Sequence, residues 1–388
     1  LIEEIPSDNP IAIFTPMVKR FVGFIFVVVA LLMVCTSYSV YLSPNLFWQL
    51  GFLGLAFPVL LLLNGTLFLL SLLRPSWYSV IPVISIALCW QSVSSTVAFH
   101  LFEKTPEKDV KIMTWNVKNF DLYNWSNNKA TRDKMMMFIA KQKPDILCLQ
   151  EYYTDNSKNF DNSAYLRDSL GYKYFFFQPT TELTVQSKTK IHKILWKNKP
   201  LNQQWGLAIF SKYEIKSTGC INFENSKYND CIYADLMVNN KPLRVYTVHF
   251  QSVQLDFADY RTLEQLEQSN QTQWESFKQI LYKMKLAYQK RGTQVDAVSE
   301  HVRDCEDSKI FCGDFNDVPI SYTYHQISKN MKDAFVEKGF GLSPTFVHRL
   351  SVFRIDCLLF DKSMIIHSYN SPREVLSDHY PVIATFTP

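Results

Sequence analysis

Five short polar motifs fall in order along the second two-thirds of this chain: Thr114-Trp115-Asn116, Gln150-Glu151, Val248-His249, Gly313-Asp314-Phe315-Asn316-Asp317 and Ser377-Asp378-His379. With Asp356 they offer two imidazoles, Asn amides and the carboxylates of Glu151, Asp314, Asp356 and Asp378, and they lack a Cys/His cluster of zinc type. Hard oxygen donors select magnesium, manganese or calcium over softer-site metals. A divalent cation on one or two carboxylates, with histidines left for proton transfer and anion stabilisation, suits attack of water on a phosphoester.

Such groups must be held by rigid elements. Each motif follows an apolar run that reads as a strand: Val110 to Met113, Ile146 to Leu149, Leu243 to Thr247, Ile310 to Cys312, and a shorter approach through Val375 and Leu376. Strand ends are where α/β domains collect functional polar groups, because the run fixes the backbone while the loop is free to carry chemistry. Trp205 to Ser211 reads as a further strand, and Ile232 to Val238 with Leu243 to Thr247 as a hairpin around Asn239-Asn240. From Leu263 to about His301 the apolar residues fall at helical spacing, which predicts a helix covering a sheet.

The stretches KIMTWNVKNF (Lys111 to Phe120), PDILCLQE (Pro144 to Glu151), GDFND, RIDCLLF (Arg354 to Phe360) and SDHYPV (Ser377 to Val382) resemble the endonuclease/exonuclease/phosphatase superfamily, over about residues 108–388. That superfamily includes deoxyribonuclease I, abasic-site endonucleases, neutral sphingomyelinases and inositol polyphosphate 5-phosphatases. The resemblance implies an α/β fold, a four-layer sandwich of two facing mixed β-sheets flanked by helices, with the site at one end. It implies a magnesium-dependent hydrolase, with manganese or calcium as alternates. Glu151 then resembles the main metal ligand, with Asn116 and Asp378 near the same ion. Asp314 and Asn316 resemble the pair that orients the attacking water and holds the phosphate, and His379 with Asp356 resembles the histidine–carboxylate dyad. His249 resembles the second phosphate-facing histidine, and Asn116 and Lys118 are further phosphate contacts. Lys118 stands where some members carry an acidic residue, which departs from the abasic-site enzymes.

Several of these residues have plainer readings. Asn116 can end a strand in an Asx-turn, and Asp317 before Val318-Pro319 reads better as turn chemistry than as a ligand. Asp356 can instead be a buried charge satisfied by Arg354, since a buried carboxylate needs a partner. His100, His192, His301, His325, His348 and His367 match no motif and read as surface or packing residues.

The first third of the chain differs in kind. From Phe21 to Phe102 the only Lys, Arg, Asp or Glu is Arg74. Stretches at about 21–42, 47–73 and 78–99 each reach the roughly 20 residues that cross a bilayer, and Tyr41, Phe47, Trp48, Trp77 and Tyr78 stand near their ends as interfacial aromatics. The chain therefore divides into a tail (1–16), a membrane anchor with three transmembrane helices (17–103) and a catalytic domain (104–388). Lys19-Arg20 and Arg74 place the N-terminus in the cytoplasm by the positive-inside rule, and so the catalytic domain outside a bacterial cytoplasmic membrane. Lys104, Lys108 and Lys111 pull mildly the other way.

Outside positions 1–100 there are 37 Lys plus Arg against 33 Asp plus Glu, too even to predict a nucleic-acid groove. The run Lys188, Lys190, Lys193, Lys197 and Lys199 reads as a solvated loop before a phosphate- or lipid-facing patch. Cys220 and Cys231 flank a polar loop, and a bridge and free thiols are equally compatible with their spacing. The expected function is metal-dependent hydrolysis of a lipid-linked or periplasmic phosphoester, with membrane lipids as partners. A membrane-tethered nuclease is the enzymatic alternative, and a non-catalytic assembly or binding subunit that keeps the fold is the alternative of another class.

Overall fold

Central strands buried on both faces build the part of the chain that carries the motifs. The computed structural model describes residues 10–73, 77–100, 109–185, 201–223, 226, 229–254, 271–347 and 352–388. The apolar N-terminal part forms α1 (Pro10–Tyr38), α2 (Gly51–Leu73), α3 (Val80–Leu88) and α4 (Trp90–Thr96), which leads into β1 (Ala98–Phe99). Next come β2 (Val110–Asn116), α5 (Thr131–Gln142), β3 (Ile146–Asp155), β4 (Tyr174–Val185) and β5 (Leu201–Ser211). Then follow β6 (Ile215–Asn222), β7 (Asp230–Val238), β8 (Lys241–His249), α6 (Gln271–Asp304) and β9 (Lys309–Asp314). The chain ends with α7 (Tyr322–Ser328), β10 (Met331–Asp333), α8 (Ala334–Lys338), β11 (Phe340–Gly341), β12 (Asp356–Asp361), β13 (Ile365–Asn370) and β14 (Val382–Thr387).

Two six-stranded sheets result, ordered β13-β14-β2-β3-β5-β4 and β10-β12-β9-β8-β7-β6. Each is mixed, with one parallel pair at its centre, β2 with β3 and β8 with β9. Because side chains alternate across a strand, Ile112, Cys148 and Ile209 of the first sheet meet Val245, Cys312 and Leu358 of the second in one core. Met113, Trp115 and Leu149 point the other way, onto Met135 and Ile139 of α5. Tyr246, Val248 and Phe311 likewise pack under Val295, Val298 and Val302 of α6. The four-layer sandwich expected from the motifs is the fold observed. The β7–β8 hairpin turns at Asn239-Asn240, both at positive φ, as its residue types predict.

The anchor departs from three straight rods. Arg20–Tyr41 and Pro44–Leu73 are long and apolar enough to cross a membrane, while the third stretch is bent by 74° between Leu88 and Trp90. The bend falls where the sequence turns polar: Ser95 and Thr96 hydroxyls donate to the Ser92 carbonyl, and the Ser37 and Ser92 hydroxyls bond at 2.7 Å. The bent pair nevertheless returns from the far end of α2, whose 23 residues extend about 34 Å. Asn45 in the α1–α2 connection donates to Thr293 of α6, and β1 pairs with β11, so the α1–α2 connection and the end of the third stretch both meet the part that follows.

Docking of the two parts is close. The buried Arg354 guanidinium donates to the Ser95 carbonyl at 3.1 Å and pairs with Asp333 at 2.8 Å. Arg354 thus serves Asp333 and the anchor rather than Asp356. Cys220 and Cys231 are free. Cys231 registers with Ile221, so Cys220 points to the opposite face of the sheet and the two thiols cannot meet.

A Cβ on Gly54 of α2 would lie 2.0 Å from the Ile320 carbonyl oxygen, whereas one on Gly65 of the same helix meets nothing within 4 Å. Gly54→Val should therefore destabilise the full chain by about 1–3 kcal/mol or more, a drop of several degrees in melting temperature in detergent. Gly65→Val should melt close to the parent. Equal melting of the two variants would show that α2 does not rest on the Ile320 loop.

Candidate active site

The period-two pattern carries one polar residue from each central strand to the same end of the inter-sheet core. Below the site, the Gln150 amide donates to the hydroxyls of Thr114 (3.0 Å) and Thr247 (2.7 Å), joining the two sheets. Above it, Asn116 ends β2, His249 ends β8, Asp314 ends β9 and Asp356 opens β12 directly opposite Asp314.

These groups converge on one oxygen. Asp314 Oδ2 accepts from Asn116 Nδ2 at 3.0 Å and lies 3.6 Å from His249 Nε2 and 3.7 Å from His379 Nε2. Its Oδ1 accepts from the Asn316 backbone N–H at 2.8 Å, and the Asn316 amide donates to the Phe250 carbonyl. Asn116 also donates to Glu151 Oε1 at 3.1 Å, and its own Oδ1 accepts from the Lys118 N–H.

Glu151 reaches this end through a bulge. Strict alternation after Leu149 would send it to the outer face. The β3–β5 register shifts between Leu149 and Tyr152, and Glu151 adopts φ 46°, which lets Gln150 and Glu151 both serve the site. The Glu151 side chain is 34% exposed at the mouth, 3.7 Å from His249 Nε2.

His379 is set by its surroundings rather than by a strand. Its Nδ1 bonds Asp356 Oδ2 at 2.9 Å, the Trp115 indole donates to its carbonyl at 2.8 Å, and Phe346 packs edge-on at 5.5 Å. Thr345 Oγ1 accepts the Asp356 N–H, holding the other half of the dyad. Burial opposes charge on His379, but Asp356 and Asp314 outweigh it and hold its pKa well above the ordinary histidine range. Burial likewise would raise Asp378, yet the His379 and Lys118 charges bring it below the usual carboxylate value. Lys118 Nζ lies 2.7 Å from Asp378 Oδ2 and 4.8 Å over the Trp125 ring.

Every residue expected at the site lies here: Asn116, Lys118, Glu151, His249, Asp314, Asn316, Asp356, Asp378 and His379. The motifs specified the His379–Asp356 pair but not the other contacts. Lys118 is engaged by Asp378, and Gln150, Trp115, Thr345 and Ser377 support the site without having been singled out for it. Asp317 is structural, accepting from Val318 N, Thr323 Oγ1 and Arg291 Nε. His100, His301, His325 and His367 bond or pack elsewhere, while His192, His348 and the Lys188–Lys199 run lie outside the described residues.

Residues 113–379 match the endonuclease/exonuclease/phosphatase family. The chain belongs to that family. Residues 19–96 match a domain of unknown function, and no curated protein matches the chain. Among solved structures it is similar to the human Nocturnin catalytic domain with bound sulfate anion, at 19% identity over 74% of this chain and 96% of that one, TM-score 0.47. It is also similar to D. rerio TDP2 complexed with a single-strand DNA product, at 16% identity over 73% and 100%, TM-score 0.47. A Bacteroides thetaiotaomicron mannosyl-6-phosphatase is similar at 13% identity over 72% and 100%, TM-score 0.46.

The donors fit a divalent cation. Asp314, Asp356 and His379 present ligand atoms within 4.8 Å of one another. That group is closed around its own hydrogen bonds, whereas the Glu151 carboxylate stands open at the mouth.

A histidine held protonated stabilises the fold fully below its unfolded pKa of about 6.5 and loses that contribution as pH rises through the raised value. Asp356→Asn should pull the His379 titration down toward the ordinary range, read by imidazole NMR, and lower turnover about 10²–10⁴-fold. An unmoved titration midpoint would break the dyad.

Proposed function

We propose that the chain is a membrane-anchored, divalent-metal-dependent phosphoester hydrolase acting on a lipid-linked or extracytoplasmic substrate. The observation that carries the chemistry is the convergence of Asn116, His249 and His379 on Asp314 Oδ2. A carboxylate oxygen ringed by an amide and two imidazoles accepts a proton from an attacking water. His379, held protonated, presents Nε2–H to a phosphate oxygen and stabilises the charge that builds there. His249 beside Asp314 Oδ2 and Asn316 on the same turn bind the phosphate.

Glu151 would hold the metal, with the Asn116 amide beside it. Magnesium, or manganese in its place, would supply charge for the phosphate and the leaving oxygen. Asp378 would join Glu151 as a ligand, and Lys118, now paired with Asp378, would contact the phosphate. The membrane inference rests on the apolar helices and their docking. Lys19-Arg20 and Arg74 favour a cytoplasmic N-terminus and a catalytic domain outside the bacterial inner membrane. Near-balanced charge outside the anchor disfavours a nuclease, which grips several phosphates at once.

Full-length protein in detergent micelles tests this reading. With magnesium it should hydrolyse phospholipid, sphingolipid or polyprenyl-phosphate substrates faster than DNA or RNA. Chelation or Glu151→Gln should abolish turnover while leaving the melting profile of the metal-free protein unchanged. Activity that survives either treatment would overturn the metal assignment, and efficient cleavage confined to nucleic acid would make the chain a tethered nuclease.

A further inference from the structure

We infer that the rim of the active site is itself seated in the bilayer, through a small apolar apron continuous with the anchor. The apron consists of the β1–β11 ribbon and the two flanks of the segment between β11 and β12. Phe99 is 78% exposed, Phe340 56%, Val352 39% and Leu342 37%, a concentration of exposed large apolar groups that water alone does not favour. Phe99 registers directly with Phe340, and their rings meet edge to face. The ribbon begins two residues after α4, so chain connectivity alone keeps it beside the membrane-crossing part.

Its depth is set by α2. Leu342 and Val352 line a crevice together with Gly54 and Pro58. Those two residues sit in the first two turns of α2, about 5 and 10 Å along it, where a spanning helix passes through the headgroup layer. Further along, Val59, Leu62, Leu69 and Leu70 of the same helix are exposed, as lipid-facing residues must be. Arg373 donates to the Pro344 carbonyl and places a guanidinium at the same rim, matched to anionic headgroups.

The opposite ends of those flanks are active-site parts. Thr345 accepts the Asp356 N–H, Phe346 bridges to His379, and Val347 donates to the Asp378 carbonyl at 2.7 Å. Leu342 precedes Phe346 by four residues, at most about 14 Å of chain. The catalytic histidine is therefore held within one loop's reach of the lipid surface. A phosphoester headgroup reaches Asp314 and His379 while its apolar part stays in the membrane, which on the proposed hydrolase reading names the substrate class as a bilayer-resident phospholipid. A soluble phosphoester gains nothing from this surface.

The test is nitroxide labelling of the full chain in phospholipid nanodiscs. Cysteines are introduced at Phe99, Leu342 and Val352 in a Cys35→Ser, Cys220→Ser background, with exposed Met137 on α5 as the aqueous control. The rim labels should be accessible to oxygen and shielded from a water-soluble nickel relaxer, and Met137 the reverse. Phe99→Asp with Val352→Asp should cut turnover of a vesicle phospholipid at least tenfold and leave hydrolysis of a soluble phosphoester within twofold, with an unchanged melting temperature. Nickel access at the rim equal to that at Met137 would overturn the proposal, as would exclusion of both reagents, which marks a protein–protein contact. Lipid-buried labels in a chain that hydrolyses no phosphoester would support the seated rim and sink the hydrolase reading instead.

Discussion

The structure turns on a carboxylate that cannot be left alone. Asp314 is 1% exposed, and an unpaired charge at such a site costs several kcal/mol. Its partners come from everywhere: Asn116 from the other sheet, His249 from the neighbouring strand, His379 from the far end of the chain, and the Asn316 N–H from its own turn. Satisfying one oxygen pair therefore closes the two sheets over each other at the catalytic end. The same closure gathers two imidazoles and an amide around one carboxylate oxygen.

A second buried charge does for the membrane part what Asp314 does for the sheets. Arg354 is fully inside, pairs with Asp333, stacks over Phe335 at 4.4 Å and donates to the last turn of the anchor. It lies two residues before Asp356. The segment leading into β12 thus carries one side chain that fixes the anchor, and the strand opens two residues later with one that fixes the His379 imidazole. Removing either leaves its counter-charge buried, so the membrane and catalytic parts are coupled through a short, stiff piece of backbone. Gly54 adds a contact that only a residue without a side chain permits.

Much of this was legible in the residues themselves. Apolar runs predicted the strands, and the polar motifs that follow those runs placed Asn116, His249 and Asp314 at their ends. Low charge over Phe21 to Phe102 predicted the anchor, and even charge elsewhere argued against a polyanion groove. The family motifs singled out Glu151 and paired His379 with Asp356, a pair the structure holds at 2.9 Å. Asp317 as turn chemistry was likewise readable, since Asp before Val-Pro suits a turn, although its ion pair with Arg291 was not.

The sequence by itself determined what each strand end carries, because alternation and turn chemistry are local. Only the tertiary structure decided which groups meet, because partners such as Asn116 and Asp314 are brought together by sheet packing rather than by spacing. That is why Lys118 proves to be held by Asp378, and why Arg354 serves Asp333 instead of Asp356. It is also why Glu151 needs a bulge to reach the mouth: a register shift belongs to the pairing of β3 with β5, and neither strand alone encodes it. The 74° bend in the third apolar stretch has the same origin. Hydropathy measures length and polarity, while the bend depends on where Ser92 finds Ser37 and where Arg354 meets the Ser95 carbonyl.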